Sequence, residues 1–185
     1  MKMRNFIIML FVFALISNTK VNSQIFVTTK ASIAFTSDAP LELIKAESSE
    51  LSGLLDINSR SFAFKVPMSS FKGFNSPLQQ THFNENYMET SKYPNTIFEG
   101  KIIEEVDLKA NGTYNVRGKG KFTSHGVVQE RIIKCKVVVS SGKIRITSDF
   151  TVLLNDHNIK IPTVVSQKIA EEIQVHTEIE LISKK

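Results

Sequence analysis

The sequence predicts an all-β domain: a single antiparallel barrel of about eight strands with one or two short helices. Three observations predict it. Apolar and polar residues alternate with period two over much of the chain, as in strands with one enclosed and one wet face. Tight-turn signals separate the alternating runs, notably Asn111-Gly112 and SSGK at 140–143, and such dipeptides favour hairpins. The links are too short for crossover helices, so neighbours in sequence should pair as a meander. Closure follows because one-sided strands must avoid leaving open edges.

The first element is not part of the barrel. Lys2 and Arg4 precede an apolar run at 6–16, and VNSQ follows at 21–24. A basic start, about eleven apolar residues and a small-residue cut site describe a secretory signal. The expectation is therefore a signal peptide over 1–23, cleavage before Gln24, and a periplasmic or secreted product. The run is shorter than the roughly 20 residues of a membrane span, and no later run is long enough. Cleavage removes Lys2, Arg4 and Lys20, so the formal net charge of +5 falls by three to +2. That charge argues against a nucleic-acid partner, which needs a clustered basic face. The single cysteine, Cys135, cannot form an internal disulfide. It alternates with apolar residues in RIIKCKVVV and reads as a small buried hydrophobe. Residues 24–185 suit one domain.

Along that domain, short alternating runs stand at 33–35, 51–57 and 62–66. Residues 76–88 break the pattern. Leu78, Phe83 and Tyr87 gather there on one side of a short helix, which ends before Tyr93-Pro94 because proline disfavours helix at the preceding residue. Glu104, Glu105 and Asp107 read as a solvated strand end. In GTYNVRGKGKFTSHG, Tyr114, Val116, Gly118, Gly120 and Phe122 share the enclosed face. KIRITSDFTVL turns Ile144, Ile146, Ser148, Phe150 and Val152 inward. Residues 162–172 open with Pro162 and a candidate Thr163 cap and read as one or two helical turns. IQVHTEIEL closes the domain with Ile173, Val175, Thr177, Ile179 and Leu181 inward.

Small residues recur on the inner face: Gly118, Gly120, Ser124, Ser148 and Thr177. They leave room for an internal cavity, where a solid barrel would be filled; large residues opposite the glycines are the alternative. Catalytic signals are absent. His82 and Glu85 converge at helical spacing, but no further ligands or HExxH accompany them, so both are read as outward and no metal is expected. His125 falls on the outer face by parity, and His157 and His176 stand isolated. No nucleophile elbow or phosphate-cradling loop occurs.

HFNENYMETSKYPNTIFEG at 82–100, GKGKFTSHGV at 118–127 and SDFTVLLNDHNIKIP at 148–162 resemble the YceI-like family. The resemblance covers about residues 25–183, essentially all of the expected mature chain. It implies an exported bacterial protein with a lipocalin-like barrel holding a polyisoprenoid or similar long-chain amphiphile. It also makes the 76–88 segment a lid or plug, with Phe83, Tyr87 and Phe98 facing in. In this sequence Ser124 replaces a usual aliphatic residue, and His157-Asn158 occupies a turn where an aromatic and a glycine are more typical.

The leading reading is a non-catalytic binding or carrier protein, with no cofactor beyond a bound isoprenoid-type or fatty amphiphile. Its expected ligand-binding wall comprises Phe62, Phe64, Phe71, Phe74, Phe83, Phe98, Tyr114, Gly118, Gly120, Phe122 and Phe150. The alternatives are a solid-barrel structural or stress-response interaction protein, or an enzyme acting on an amphiphile through His82 or His125 and a carboxylate. Oligomeric state is open, and a dimer is compatible with the sequence.

Overall fold

A computed structural model describes residues 24–184, so the expected signal segment lies outside the described residues. Nine strands follow one another: β1 (Ile25–Ala39), β2 (Glu42–Ser48), β3 (Ser52–Asp56), β4 (Ser61–Pro67), β5 (Asn95–Ile102), β6 (Gly112–Ser124), β7 (Val127–Ser140), β8 (Lys143–Leu153) and β9 (Glu172–Ser183). Each pairs antiparallel with its neighbours, and β1 pairs with β9 to close the sheet. β2 and β3 lie end to end along the same edge of β1, which meets β2 at 33–39 and β3 at 25–27. They form one interrupted stave, so the closed barrel has eight.

Call the end of the barrel at Ala39 the upper end and that at Ile25 the lower. The lower end is solid. The 103–111 segment folds across it, and Leu108 (2% exposed) sits over Ile144 and Leu181 (both 0%) in one buried cluster. Glu104 fastens this segment by accepting from the Arg117 backbone N–H at 2.6 Å and its Nε at 2.7 Å. Those bonds hold the Glu104 carboxyl below its ordinary pKa. The solvated strand end is thus an exposed but hydrogen-bonded closure.

The upper end is built differently. β4 leaves the wall at Pro67 through a 3-10 turn at Met68–Ser70, which frees the outer edge of β2. Exposed edges invite foreign strands, and here the chain covers its own. Glu47 and Lys72 exchange two backbone bonds of 2.8 Å, and Asn75 Nδ2 donates to the Leu43 carbonyl at 3.0 Å. Helix α1 (Pro77–His82) follows, with proline in its first turn and the Ser76 hydroxyl accepting from the Gln79 N–H at 3.2 Å. A π-helical turn, Phe83–Tyr87, continues it to Met88. The expected helix over 76–88 is therefore two geometries in series. The 162–172 segment carries only a 3-10 turn at Thr163–Val165, preceded by Pro162 with no side-chain cap, so Thr163 does not serve as the cap.

Candidate functional site

The interior holds two adjoining chambers. The upper has a volume of about 430 Å³ and the lower about 100 Å³. Ile33, Val66, Thr96, Phe122 and Phe150 line both and form a waist between them. The upper chamber reaches solvent, because Ser76, Leu78, His82 and Lys168 on its rim are all exposed. With the lower end blocked, the space is a cup rather than a through-tunnel.

Period-two alternation supplies the apolar wall: Ile33, Phe35, Ile44, Val175 and Ile173 above the waist, and Leu55, Val116, Ile133, Ile146 and Ile179 below it. An aromatic cluster hangs from the lid side. Phe83 stacks on Phe35 at 5.4 Å between centroids and meets Phe74 at 5.0 Å, while Phe35 also meets Phe71 at 5.4 Å. Such contacts add to simple burial and tie the lid to β1. In the lower chamber Phe62 packs on Phe98 at 4.9 Å and on Phe64 at 6.0 Å.

Polar groups in the cup are few and mostly satisfied. Ser124 and Thr96 share a 3.0 Å hydrogen bond near the waist. Ser148 Oγ donates to the Lys134 carbonyl at 2.7 Å. Tyr87 lines the upper chamber, and burial pushes its phenol pKa up. Cys135 lines the lower one, where burial likewise raises the thiol pKa. At the mouth, Gln79 Nε2 donates to Glu42 Oε1 at 3.0 Å, and Asn75 Nδ2 reaches the same oxygen at 3.4 Å.

Nine of the eleven expected wall residues line the cup. Phe62, Phe64, Phe98 and Gly118 lie in the lower chamber, Phe71, Phe74 and Phe83 in the upper, and Phe122 and Phe150 in both. Two expectations are corrected. Tyr114 lies toward the solid end, outside both chambers, with its hydroxyl donating to the Ala110 carbonyl at 3.0 Å. Gly120 also lines neither: a Cβ there would overlap the Glu99 carbonyl and stand 2.7 Å from Gly100 Cα. It permits a close approach of β5 and β6 and leaves no room for a ligand. Gly118 does line the cup, but the space above it is filled, since an added Cβ would meet Phe62 Cζ at 3.0 Å. The wall residues missed, such as Phe35, Ile44 and Ile159, are ordinary inward or loop hydrophobes with no signature separating them from core.

The histidines also need correction. His82 is exposed as expected, yet it borders the mouth. His125 is not outward: its side chain is 10% exposed, with Nδ1 2.9 Å from the His157 carbonyl and Nε2 2.8 Å from Glu89 Oε2. Tyr93 packs against its ring at 4.7 Å. His157 is buried (0% exposed), with Nδ1 3.2 Å from the Ser124 carbonyl and its ring edge-on to Phe122. Because a carbonyl only accepts, Nδ1 carries the proton, and burial pulls the ring's pKa below its ordinary value. His176 is not isolated; its hydrogen bond to Asp149 at 2.6 Å raises its pKa. The His125–Glu89 pair is the acid/base arrangement an enzyme would want, but neither residue lines the cup. Among the described residues, no group of three or more His, Cys, Asp or Glu is placed to hold a metal ion, and no helix is long and apolar enough to cross a membrane.

A closed antiparallel barrel enclosing an apolar cup defines the class of protein. The YceI-like domain model matches residues 18–181, and the chain belongs to that family. Among solved structures, a polyisoprenoid binding domain from Saccharophagus degradans, implicated in plant cell wall breakdown, shares the fold with a TM-score of 0.73 at 14% identity, covering 88% of this chain and 99% of that one. BcnA of Burkholderia cenocepacia has a TM-score of 0.66 at 15% identity, covering 81% and 95%. A Campylobacter jejuni YCEI protein gives 0.57 at 15%, covering 73% and 81%. No curated protein matches the chain in sequence.

Proposed function

We propose that this protein is an exported, non-catalytic carrier that holds the tail of an isoprenoid-type or similar long-chain amphiphile inside the barrel. The observation that carries the reading is the upper chamber: about 430 Å³, apolar-walled and open at one end. Each methylene buried there gains about 0.8 kcal/mol gross, before the cost of ordering the ligand. A long tail therefore binds without any catalytic group. The polyisoprenoid-binding relative of the same fold supports the ligand class, and the signal-like residues 1–23 support export. The His125–Glu89 pair outside the cup weighs against the enzyme reading.

The test is mass spectrometry of lipid extracted from native protein, with Ile44→Asp alongside. Wild type should carry near-stoichiometric amphiphile, and the variant, with a carboxylate in the apolar wall, should lose it. Protein that neither carries nor takes up any amphiphile would remove this reading in favour of a structural barrel.

A further inference from the structure

Resting on that carrier reading, we propose that the barrel has a lateral entrance besides its mouth: the wall parts between the upper halves of β7 and β8, and the amphiphile's chain passes there into the waist and lower chamber. The ladder stops short at this seam. β7 has 14 residues and β8 has 11, yet they pair only where Lys136–Ser140 meets Lys143–Thr147. The far edge of β7 stays paired with β6 up to Val127, and that of β8 with β9 up to Leu153. Continued in register, Lys134, Ile132 and Glu130 would face Asp149, Thr151 and Leu153. Among the described residues those pairs are not made.

Side chains span the seam instead. Ser148 Oγ donates to the Lys134 carbonyl, Arg131 Nη2 to the Thr151 carbonyl at 2.6 Å, and Gln129 Nε2 to the Asp156 carbonyl at 2.9 Å. Arg131 and Gln129 share the strand parity of Ile133, but neither lines the chamber that Ile133 faces. A side-chain bond breaks by rotation of that chain alone, whereas a ladder opens only by moving a strand, so this stretch of wall yields readily. It is also apolar on both sides. Inside, Ile133, Cys135 and Phe150 line the lower chamber, and Phe150 belongs to the waist. Outside, Val128 and Ile132 on β7 and Leu153 on β8 are 54%, 55% and 45% exposed. Single exposed hydrophobes need no explanation, but these three flank one gap. A hydrocarbon chain crossing there meets apolar surface throughout, while one entering by the mouth must thread the waist to reach the lower chamber.

Cys135 makes the test direct. Ser148 stands beside its thiol, so Ser148→Cys allows a disulfide across the seam, next to the last ladder pair, Lys136 with Thr147. Stopped-flow fluorescence follows entry and displacement of pyrene-labelled palmitate and pyrene-labelled farnesol in the mature, delipidated protein. Oxidised Ser148→Cys should exchange both probes about tenfold more slowly than the same protein reduced. Ile132→Glu, which sets a charge on one lip, should slow entry by about threefold to tenfold. Leu54→Glu, at an exposed apolar position on β3 outside both chambers, should leave it within about twofold. Hydrogen exchange of the wild type reads the seam independently: the Ile132, Lys134, Asp149 and Thr151 amides should exchange at least about a hundredfold faster than those of Lys136, Val138, Arg145 and Thr147. Equal rates in oxidised and reduced Ser148→Cys, equal effects of the two glutamates, or seam amides as protected as the ladder would overturn the lateral entrance and leave the mouth as the route, with the carrier reading standing. Uptake of neither probe by the wild type would overturn both.

Discussion

Gly120→Ala isolates the tightest contact between two staves of the barrel. Gly100 and Gly120 face one another across β5 and β6. A Cβ on Gly120 would overlap the Glu99 carbonyl and lie 2.7 Å from Gly100 Cα; one on Gly100 would overlap the Lys119 carbonyl and lie 2.6 Å from Gly120 Cα. Backbone atoms held in a closed ladder cannot swing aside as a side-chain end can. The cost should therefore reach or exceed the top of the usual overpacking range, about 3 kcal/mol. For a domain of this size that lowers Tm by roughly 6–12 °C. Gly118→Ala is the internal control, two residues away on the same face. Its Cβ would meet ring edges alone, Phe62 at 3.0 and 3.1 Å and Phe98 at 3.4 Å. A ring edge can give by a few tenths of an ångström, and alanine also stiffens the unfolded chain by about 0.4–1 kcal/mol. Gly118→Ala should thus stay within about 1 kcal/mol of wild type. Urea titration followed by far-UV circular dichroism measures both. Equal stabilities for the two variants would refute the close-approach argument.

Three further outcomes follow from the histidines and the thiol. His125→Ala removes two hydrogen bonds joining the lid exit to the 154–171 segment, together with the Tyr93 ring contact; urea midpoints should show a loss of about 2–3 kcal/mol. His157 has a folded-state pKa below its ordinary 6.5, so the unfolded chain binds the proton first and stability falls as pH drops through and below that value. His176 has the opposite sign: its folded pKa is raised, so its contribution is full below 6.5 and fades as pH rises through the folded value. Melts from about pH 8 to pH 5 should accordingly show less acid-side loss in His157→Leu and more in His176→Gln; unchanged slopes in both would contradict the assignment. Cys135, with its thiol pKa raised by burial, should react slowly with a thiol reagent in native protein and fully in denaturant; rapid native labelling would place the thiol in solvent.

Much of the barrel was legible because strand parity is a local rule. It correctly assigned Phe122, Ser148, Phe150 and Thr177 to the interior, since all four line the cup. It failed where the answer depended on a neighbouring strand or a turn. Parity turns Gly120 inward but is blind to how near β5 comes; only its partner across the ladder, Gly100, carried that information. His125 was read by extending the alternation of β6, yet β6 ends at Ser124 and His125 adopts a positive φ of 50°. One residue past a strand end, the side-chain direction is set by the turn. Phe35 and Ile44 were invisible as site residues because the chemistry of a lipid wall is that of any core.

The location of the upper chamber follows from one break in the sheet. In the lower half, β3 and β4 complete the wall, and side chains from opposite staves meet across it. In the upper half β4 departs at Pro67, and the stave between β2 and β5 is replaced by chain that meets β2 through one backbone bridge, Glu47–Lys72, and otherwise through side chains rather than a continuous ladder. A ladder fixes neighbouring strands about 4.8 Å apart, whereas a helix occupies about 10 Å with its side chains. Substituting one for the other widens the circumference where α1 and the π-turn sit, and that is where the interior opens from about 100 to about 430 Å³. The same substitution produces the mouth, since the lid meets β2 through the Asn75 and Gln79 side chains and leaves Leu78 63% exposed. Cavity and entrance are thus two consequences of Pro67 ending a strand early.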